Sequence, residues 1–460
     1  MRKEGIAMML PMLKKSFPGG MAILALAAVA MMAIFAVPCD AAAPVKVVDV
    51  AAGHGLSVAL LDNGTVWTWG NAQRGALGTG VPDNKSSPSP QQVSIGNVID
   101  IAAGSAHVLA LREDGTVWAW GANDYGQIGD GTIIDRRTPV QVQGLSDVKA
   151  VAAGLMYSVA LKDDGTVWAW GYNKNGQLGN GQTSRYESAP VKVAGLSSIV
   201  KVFVGYNHNF AIDGNGNVWA WGANDLGELG DGTNTGQATP VRLEGLSGIK
   251  DIAPGSSYTI ALKDDGTVLA WGENYGGWLG DGSSVTKMQP VAVKGLDHVM
   301  AIATGQGISF AARDDGTVVA WGLNEAGLIG NGYRDQKVYR PVKISGPANV
   351  TQFAAGAIHA LAIGGDGSLW SWGDNQFGQM GIGKMDDATY TPTKIAIGQP
   401  ASAMSVPTPV PGNDTTSTDN STDTGATTSG SNNLRYLLMG ASLLLGLVAV
   451  VGALIWLSKR

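Results

Sequence analysis

The stretch Gly165-Thr-Val-Trp-Ala-Trp-Gly-Tyr-Asn-Lys-Asn-Gly-Gln-Leu-Gly179 decides the fold, because it recurs with small changes in seven consecutive copies. Each copy contains a Trp-Gly pair, and the pairs follow one another at an interval of about fifty residues, which is typical of repeat architectures. Further glycines stand five, eight and ten residues after each pair in every copy. The chain therefore repeats one supersecondary unit seven times. The Trp-Gly glycines are Gly70, Gly121, Gly171, Gly222, Gly272, Gly322 and Gly373.

Every repeat alternates short runs of Val, Ile, Trp and Ala with clusters of Gly, Asp, Asn and Pro. This pattern predicts strands joined by turns. In the third repeat, four strands are predicted at 149–153, 157–162, 166–170 and 191–193. Between the second and third strands, Asp164-Gly165 predicts a tight hairpin turn, because glycine readily adopts the positive φ that such turns require.

The predicted sheets are buried on both faces. In the Trp strand of the second repeat, Trp118 and Trp120 share one face and Ala119 lies on the other, since residues two apart point the same way. Four-stranded sheets stacked radially in this way form a β-propeller. We therefore predict an all-β, seven-bladed β-propeller over residues 44–398, with repeats at about 46–95, 96–145, 146–196, 197–246, 247–296, 297–346 and 347–398. A parallel β-solenoid is the alternative, but its coils repeat at about 20 to 30 residues.

The motif at Gly165 to Gly179 closely resembles the repeat of the regulator of chromosome condensation family, and the resemblance covers Val45 to Ile397. It implies a seven-bladed propeller in which blade and sequence repeat can be out of phase. The family's nuclear member promotes nucleotide exchange on a small GTPase and sits on chromatin. A secreted bacterial relative inhibits β-lactamases through one propeller face. Because no repeat here carries a long inserted hairpin or a basic arm, the second precedent is favoured.

Residues 1–43 have the layout of a secretory signal peptide. A basic pair precedes an apolar run from Met21 to Val37, and small residues follow, so cleavage is predicted near Ala41. Cys39 is the only cysteine and would be removed with this segment. Its place after the apolar run also allows lipidation, against which Pro38 argues.

The C-terminal part predicts a stalk and a membrane anchor. Residues 399–433 are rich in Ser, Thr, Asp and Asn and cannot bury enough apolar surface to fold. Within residues 434–460, the run from Leu437 to Leu457 has 21 residues without a charge. As a helix this run is about 31 Å long, which spans a bilayer core. A basic end follows it, so the positive-inside rule predicts a single-pass cell-membrane protein with an extracellular propeller and a cytoplasmic C-terminus.

The propeller and stalk together carry a net negative charge. Between Pro44 and Asn433 there are 24 Lys plus Arg and 35 Asp plus Glu, a net charge of minus 11. A nucleic-acid binder needs clustered cations to displace counterions from phosphate. We therefore expect no nucleic-acid partner and, without the inserted hairpin, no small GTPase.

No residue set points to metal, cofactor or catalytic chemistry. The histidines share one repeat position, which other copies fill with Leu, Tyr or Ile, so packing is favoured over a metal site. The Gly-x-x-Gly-x-Gly segments join strands and do not open a helix, which a phosphate loop requires. The Asp residues fit turn chemistry. We predict no metal, no cofactor and no enzyme. The three histidines are His107, His208 and His359.

Departures from the repeat provide the candidate contact residues. Trp278 replaces a residue that is Gln in three other repeats, and Tyr275 stands three residues before it. Tyr125 and Phe377 are aromatic at another variable position of the same loop. Exposed aromatic residues on loops are typical contacts for a protein or a sugar. The alternative is that Trp278 packs onto the neighbouring blade.

These observations predict a non-catalytic cell-surface recognition module that binds an extracellular protein or polysaccharide and is held at the membrane by its C-terminal helix. An extracellular carbohydrate-active enzyme and a structural envelope protein are the alternatives, since fold alone does not decide function. Two carboxylates clustered at the central channel would favour the enzyme.

Overall fold

The computed structural model describes residues 45–82, 85–334, 337–386 and 388–398. These residues form seven four-stranded antiparallel sheets, each made of four strands consecutive in sequence. Blade and sequence repeat are therefore in phase, and each described sheet takes all its strands from one repeat. The predicted all-β, seven-bladed propeller is confirmed. The predicted signal peptide, stalk and anchor lie outside the described residues, among which there is no α-helix and no helix able to cross a membrane.

The strands occupy equivalent positions in every blade. The innermost strands are β1 (Val47–Ala52), β5 (Val98–Ala103), β9 (Val148–Ala153), β13 (Ile199–Val204), β17 (Ile249–Pro254), β21 (Val299–Thr304) and β25 (Gln352–Ala355). The second strands are β2 (Leu56–Leu61), β6 (His107–Arg112), β10 (Tyr157–Lys162), β14 (His208–Asp213), β18 (Tyr258–Lys263), β22 (Ile308–Arg313) and β26 (His359–Ile363).

The third strand of each blade ends at the Trp-Gly glycine or just beyond it. These strands are β3 (Val66–Gly70), β7 (Val117–Gly121), β11 (Val167–Tyr172), β15 (Val218–Gly222), β19 (Val268–Gly272), β23 (Val318–Leu323) and β27 (Leu369–Gly373). The outermost strands are β4 (Ser87–Gln92), β8 (Arg136–Gln141), β12 (Tyr186–Lys192), β16 (Gln237–Arg242), β20 (Lys287–Ala292), β24 (Lys337–Lys343) and β28 (Thr389–Ile395). A short 3₁₀ turn, Gln73–Gly75, lies between β3 and β4.

The seven blades close into a ring. Each innermost strand contacts the innermost strand of the next blade, and β25 contacts β1 in the same way. At this closure Trp69 packs with residues of the seventh blade in one buried apolar cluster. The ring is therefore closed by contacts between the first and last blades, and the described strands show no β-sheet pairing between the two ends of the propeller.

One hydrogen bond is repeated at every seam between blades. The second Trp of each repeat is fully buried, and its indole N–H donates to a backbone carbonyl of the preceding blade at 2.7 to 3.1 Å. Each accepting residue stands six positions after the Trp-Gly glycine. These Trp residues are Trp69, Trp120, Trp170, Trp221, Trp271, Trp321 and Trp372.

The glycine eight positions after each Trp-Gly glycine makes room for that indole. Gly129, for example, has a φ of +75°, and a Cβ there would lie 2.7 Å from the indole nitrogen of Trp170 in the next blade. The corresponding distance is 2.5 to 3.1 Å at all seven seams. The Trp and this glycine therefore recur together because they touch across the seam.

Candidate functional site

The strand order places two sets of loops at one end of the ring. Because the four strands of a blade run antiparallel, the turn between its first two strands and the loop between its last two lie at the same end. The innermost strands meet around a central channel, whose pocket at this end is lined by residues of all seven blades. We call this end the mouth face.

Backbone hydrogen bonds hold the channel mouth in shape. The amide of His54 donates to the carbonyl of Ser105 at 2.8 Å, and the amide of Ser105 donates to Leu155 at 3.1 Å. The next blade repeats this bond through Tyr206, whose carbonyl accepts from Leu155 at 3.1 Å. Each of these residues directly follows the glycine that comes after the last residue of an innermost strand. These bonds fix the rim backbone across the first four blades, and one side chain per blade projects from the circle of rim residues.

The side chains on this circle differ from blade to blade. His54 and Gln306 are exposed, Leu155 is half-buried, and burial raises the pKa of Tyr206 to about 12. This mixture supplies hydrogen-bond donors, acceptors and apolar surface without a nucleophile and base in contact. We call these residues the mouth ring: His54, Ser105, Leu155, Tyr206, Ser256, Gln306 and Ala357.

The four predicted contact residues lie in the loops between third and fourth strands, on the mouth face. Tyr275 is 66% exposed, and the amino nitrogen of Lys337 lies 3.6 Å from the centre of its ring. Trp278 is only 7% exposed and packs against Tyr258, with ring centres 5.5 Å apart. Its carbonyl accepts from Trp321 at 2.8 Å, as the same position does in every blade. Trp278 therefore lies in the packed interior, which is the alternative that the sequence left open.

Tyr125 and Phe377 also lie at seams. The ring of Tyr125 meets Tyr172 of the next blade edge-on, with centres 5.0 Å apart. Phe377 lies against Gly55 of the first blade, where a Cβ would come within 2.9 Å of its ring. Both side chains are half-buried. Of the four candidates, Tyr275 is the one that presents its ring to solvent, and a binding role for these residues remains a prediction.

The three histidines bridge neighbouring blades. His107 Nε2 lies 3.1 Å from Ser158 Oγ, and this hydroxyl donates to the carbonyl of Gln127 at 2.8 Å. Since the hydroxyl donates its hydrogen to the carbonyl, it accepts from the imidazole N–H. Burial lowers the pKa of His107 to about 4 and those of His208 and His359 to about 3. The histidines are thus neutral seam residues, and no cluster able to hold a metal occurs within the described ranges.

Two carboxylates on neighbouring innermost strands were not singled out from the sequence. Asp49 accepts from the side-chain amide of Gln352 across the ring closure, and Asp100 accepts from the amide of Val151 at 2.9 Å. Burial raises the pKa of Asp49 to about 7, with a further contribution from Asp100, and burial raises that of Asp100 to about 6. Their oxygens accept hydrogen bonds from neighbouring blades, so a structural role in joining the blades explains the pair. The recurrence of this strand position in β1 and β5 was the signal that could have revealed it.

The fold and the mouth ring define a repeat propeller with one variable face. An RCC1-like domain model matches residues 31–362, and models of the regulator of chromosome condensation (RCC1) repeat match residues 350–379 and 366–413. The chain belongs to the RCC1-like domain family.

Curated relatives match parts of the chain. The chain is 30% identical to mouse E3 ubiquitin-protein ligase HERC2, 27% to protein pim1 of Schizosaccharomyces pombe and 32% to the ultraviolet-B receptor UVR8 of Arabidopsis thaliana. These matches cover 41%, 41% and 44% of the chain and 4%, 39% and 46% of the relatives. The chain therefore spans less than half the length of these relatives.

Solved structures match about three quarters of the chain. Yeast RCC1 (Prp20) bound to Kap60 superposes with a TM-score of 0.65 at 26% identity, covering 74% of this chain and 85% of that one. Prp20p of Saccharomyces cerevisiae, described with its binding to Gsp1p and histones, also gives 0.65, at 27% identity, covering 75% and 88%.

These comparisons correct two predictions. The extracellular recognition module that binds a protein or polysaccharide is wrong, as are its enzyme and envelope alternatives, because the family relatives are a ubiquitin ligase, a light receptor and Prp20. The expectation of no small GTPase is wrong as well, because Prp20p is described with binding to the GTPase Gsp1p. Both predictions relied on segments outside the propeller or on a missing insertion, whereas the similarity lies in the propeller itself.

Proposed function

We propose that this chain is a protein-docking propeller that binds a small GTPase through its mouth face. The observation that carries the proposal is the mouth ring: seven blades joined by the same indole bond present side chains of differing chemistry around one channel mouth, whose backbone is hydrogen-bonded across the first four blades. A preformed rim favours binding because little backbone freedom is lost on association. The similarity to Prp20p, described with Gsp1p binding, supports a GTPase as the class of partner.

The proposal is tested by binding of the full-length chain to a purified small GTPase of the Gsp1p class, in the GDP-bound, GTP-bound and nucleotide-free states. The mouth variant His54→Lys/Gln306→Lys should weaken binding by about ten-fold or more, because both side chains are exposed on the rim. The matched control Ser146→Lys/Ser247→Lys adds the same charge at the opposite end of the ring and should stay within about two-fold.

Absence of binding in all three nucleotide states, or an equal loss in both variants, would remove the GTPase proposal. Release of a fluorescent nucleotide from the same GTPase separates binding from exchange. A release rate that rises with the chain and falls with the mouth variant would extend the proposal from docking to exchange.

A further inference from the structure

The rim of the fifth and sixth blades carries exposed aromatic and cationic side chains in contact. Tyr275 lies in the loop before β20, and Lys337 begins β24 of the next blade, with its amino nitrogen 3.6 Å from the Tyr275 ring centre. Two residues further along the same strand is Tyr339, 38% exposed, and Arg340 follows it. We call Tyr275, Lys337, Tyr339 and Arg340 the aromatic–cationic patch.

The patch is preformed on a floor of glycines. A Cβ on Gly277 would lie 2.7 Å from the ring of Tyr339, and one on Gly282 would lie 2.8 Å from Arg340 Nε. The amide of Gly282 also donates to the carbonyl of Tyr339 at 3.0 Å. The two side chains therefore lie against the loop of the fifth blade, which lowers the conformational entropy that binding would cost.

The cations of the patch have no acidic partner in the part of the chain that the structure describes. Two other arginines of the mouth face are neutralised: Arg74 pairs with Asp124 and Asp135, and Arg136 pairs with Asp130. Lys337 and Arg340 make no ion pair with a described residue, although Lys337 contacts an aromatic face. On a chain with a net charge of minus 11 between residues 44 and 433, this patch is a local site for negative charge.

We propose that the aromatic–cationic patch binds an acidic linear segment of a partner protein, rich in Asp and Glu. Carboxylates pair with Lys and Arg, and the fork of an arginine holds a carboxylate in a defined geometry. The tyrosine rings supply apolar contact beside the charges, as at other protein interfaces. A nucleic acid is disfavoured because a long polyanion would extend from this small patch onto an acidic surface. The patch and the mouth ring share no residue, so the inference stands apart from GTPase binding.

The test uses the full-length chain and a fluorescein-labelled peptide of eight glutamates, followed by fluorescence anisotropy. Lys337→Glu/Arg340→Glu should weaken peptide binding by about ten-fold or more, because like charges then face one another. The matched control is Arg185→Glu/Lys192→Glu in the third blade, where Arg185 lies over Tyr186 at 6.0 Å and both reversed residues are exposed. The control changes the net charge equally and should stay within about two-fold.

Added salt should weaken binding of the peptide to the natural chain, because the attraction is between exposed charges. Should the charge reversal lower the melting temperature, Lys337→Gln/Arg340→Gln replaces it, with the same expected direction. Equal loss in patch and control variants, or no binding by the natural chain, would overturn the proposal. Tighter binding of an oligothymidylate that is lost only in the patch variant would replace the acidic segment with a nucleic acid.

Discussion

The seam between the first and second blades differs from the seam between the second and third in the polarity of one facing pair of side chains. Both contain the indole-to-carbonyl bond, from Trp120 at one seam and Trp170 at the other. At the first seam, Leu56 and Val108 pack together in one apolar cluster. At the second seam, His107 and Ser158 form a buried hydrogen bond.

This difference shows which contacts recur at both seams and which contacts can vary. The shared part is the indole, the carbonyl and the glycine that makes room for them. The variable pair can be polar or apolar provided that both members match, because an unmatched buried polar group costs free energy. A polar pair adds titratable groups, so the two seams should respond differently to mutation and pH.

Breaking the shared part should have the largest effect. Gly129→Ala places a Cβ against Trp170 at a positive φ, and we expect the free energy of unfolding to fall by about 3 kcal/mol or more. Denaturant unfolding followed by tryptophan fluorescence measures this loss. The control is Gly131→Ala, which has a similar φ of +81° but whose Cβ would meet nothing closer than 3.6 Å. It should cost about 1 to 2 kcal/mol from φ alone, and equal losses would contradict the steric account.

Removing the indole donor should distinguish the two seams. At the second seam, the carbonyl of Gln127 also accepts from Ser158 at 2.8 Å, so it keeps a donor in Trp170→Phe. At the first seam, Trp120→Phe leaves the carbonyl of Ala76 without a donor from the described residues. We expect Trp120→Phe to be the more destabilising by about 1 to 2 kcal/mol, measured by chemical unfolding of both variants. Identical losses would show that the hydroxyl does not compensate.

The polar seam should be sensitive to acid. Burial lowers the pKa of His107 to about 4, so between pH 6.5 and 4 the unfolded chain binds more protons than the folded chain. Stability from this residue is therefore complete above pH 6.5 and lost as the pH falls. His107→Leu/Ser158→Val copies the apolar seam, and we expect its stability relative to the natural chain to improve by about 1 to 2 kcal/mol on going from pH 7 to 5. Thermal unfolding at both pH values measures the change, and a constant difference would contradict it.

The sequence predicted the propeller because Trp, Gly and the hairpin turns encode local strand order in each repeat. It did not show which strand of the repeat begins a blade, since a circular repeat has no marked start. The observed strand pairing reveals that start. A rule for the facing residues at each seam could have been found in the sequence but was missed. Each residue at the histidine position matches in polarity the residue one place further on in the next blade. The polar pairs are His107–Ser158, Tyr157–Asn209, His208–Thr259, Tyr258–Ser309 and His359–Ser57, and the apolar pairs are Leu56–Val108 and Ile308–Ala360.

The candidate site was harder to predict than the fold. Trp278 departs from the repeat in its side chain, yet its carbonyl keeps the seam bond, and the ring turns inward onto Tyr258. A departure from a repeat therefore marks either a contact with a partner or a local change of packing, and spacing alone does not distinguish them. Tyr275 is exposed, and its ring contacts Lys337 of the next blade, a contact between repeats that no single repeat encodes.

The smallest expected effect concerns a second titratable group at the polar seam, with the opposite sign. Burial raises the pKa of Asp100 to about 6, so between about pH 4 and 6 the folded chain binds more protons than the unfolded chain, and stability from this group falls as the pH rises. Asp100→Asn keeps an oxygen for the amide of Val151, which lies 2.9 Å from the carboxylate, and removes the buried charge. We expect it to stabilise the chain by about 1 kcal/mol at pH 7 and to have no such effect at pH 4, since the carboxyl is then protonated in the folded state. Unfolding curves at both pH values test this, and destabilisation at pH 7 would show that the charge of Asp100 strengthens its bond to Val151 by more than its burial costs.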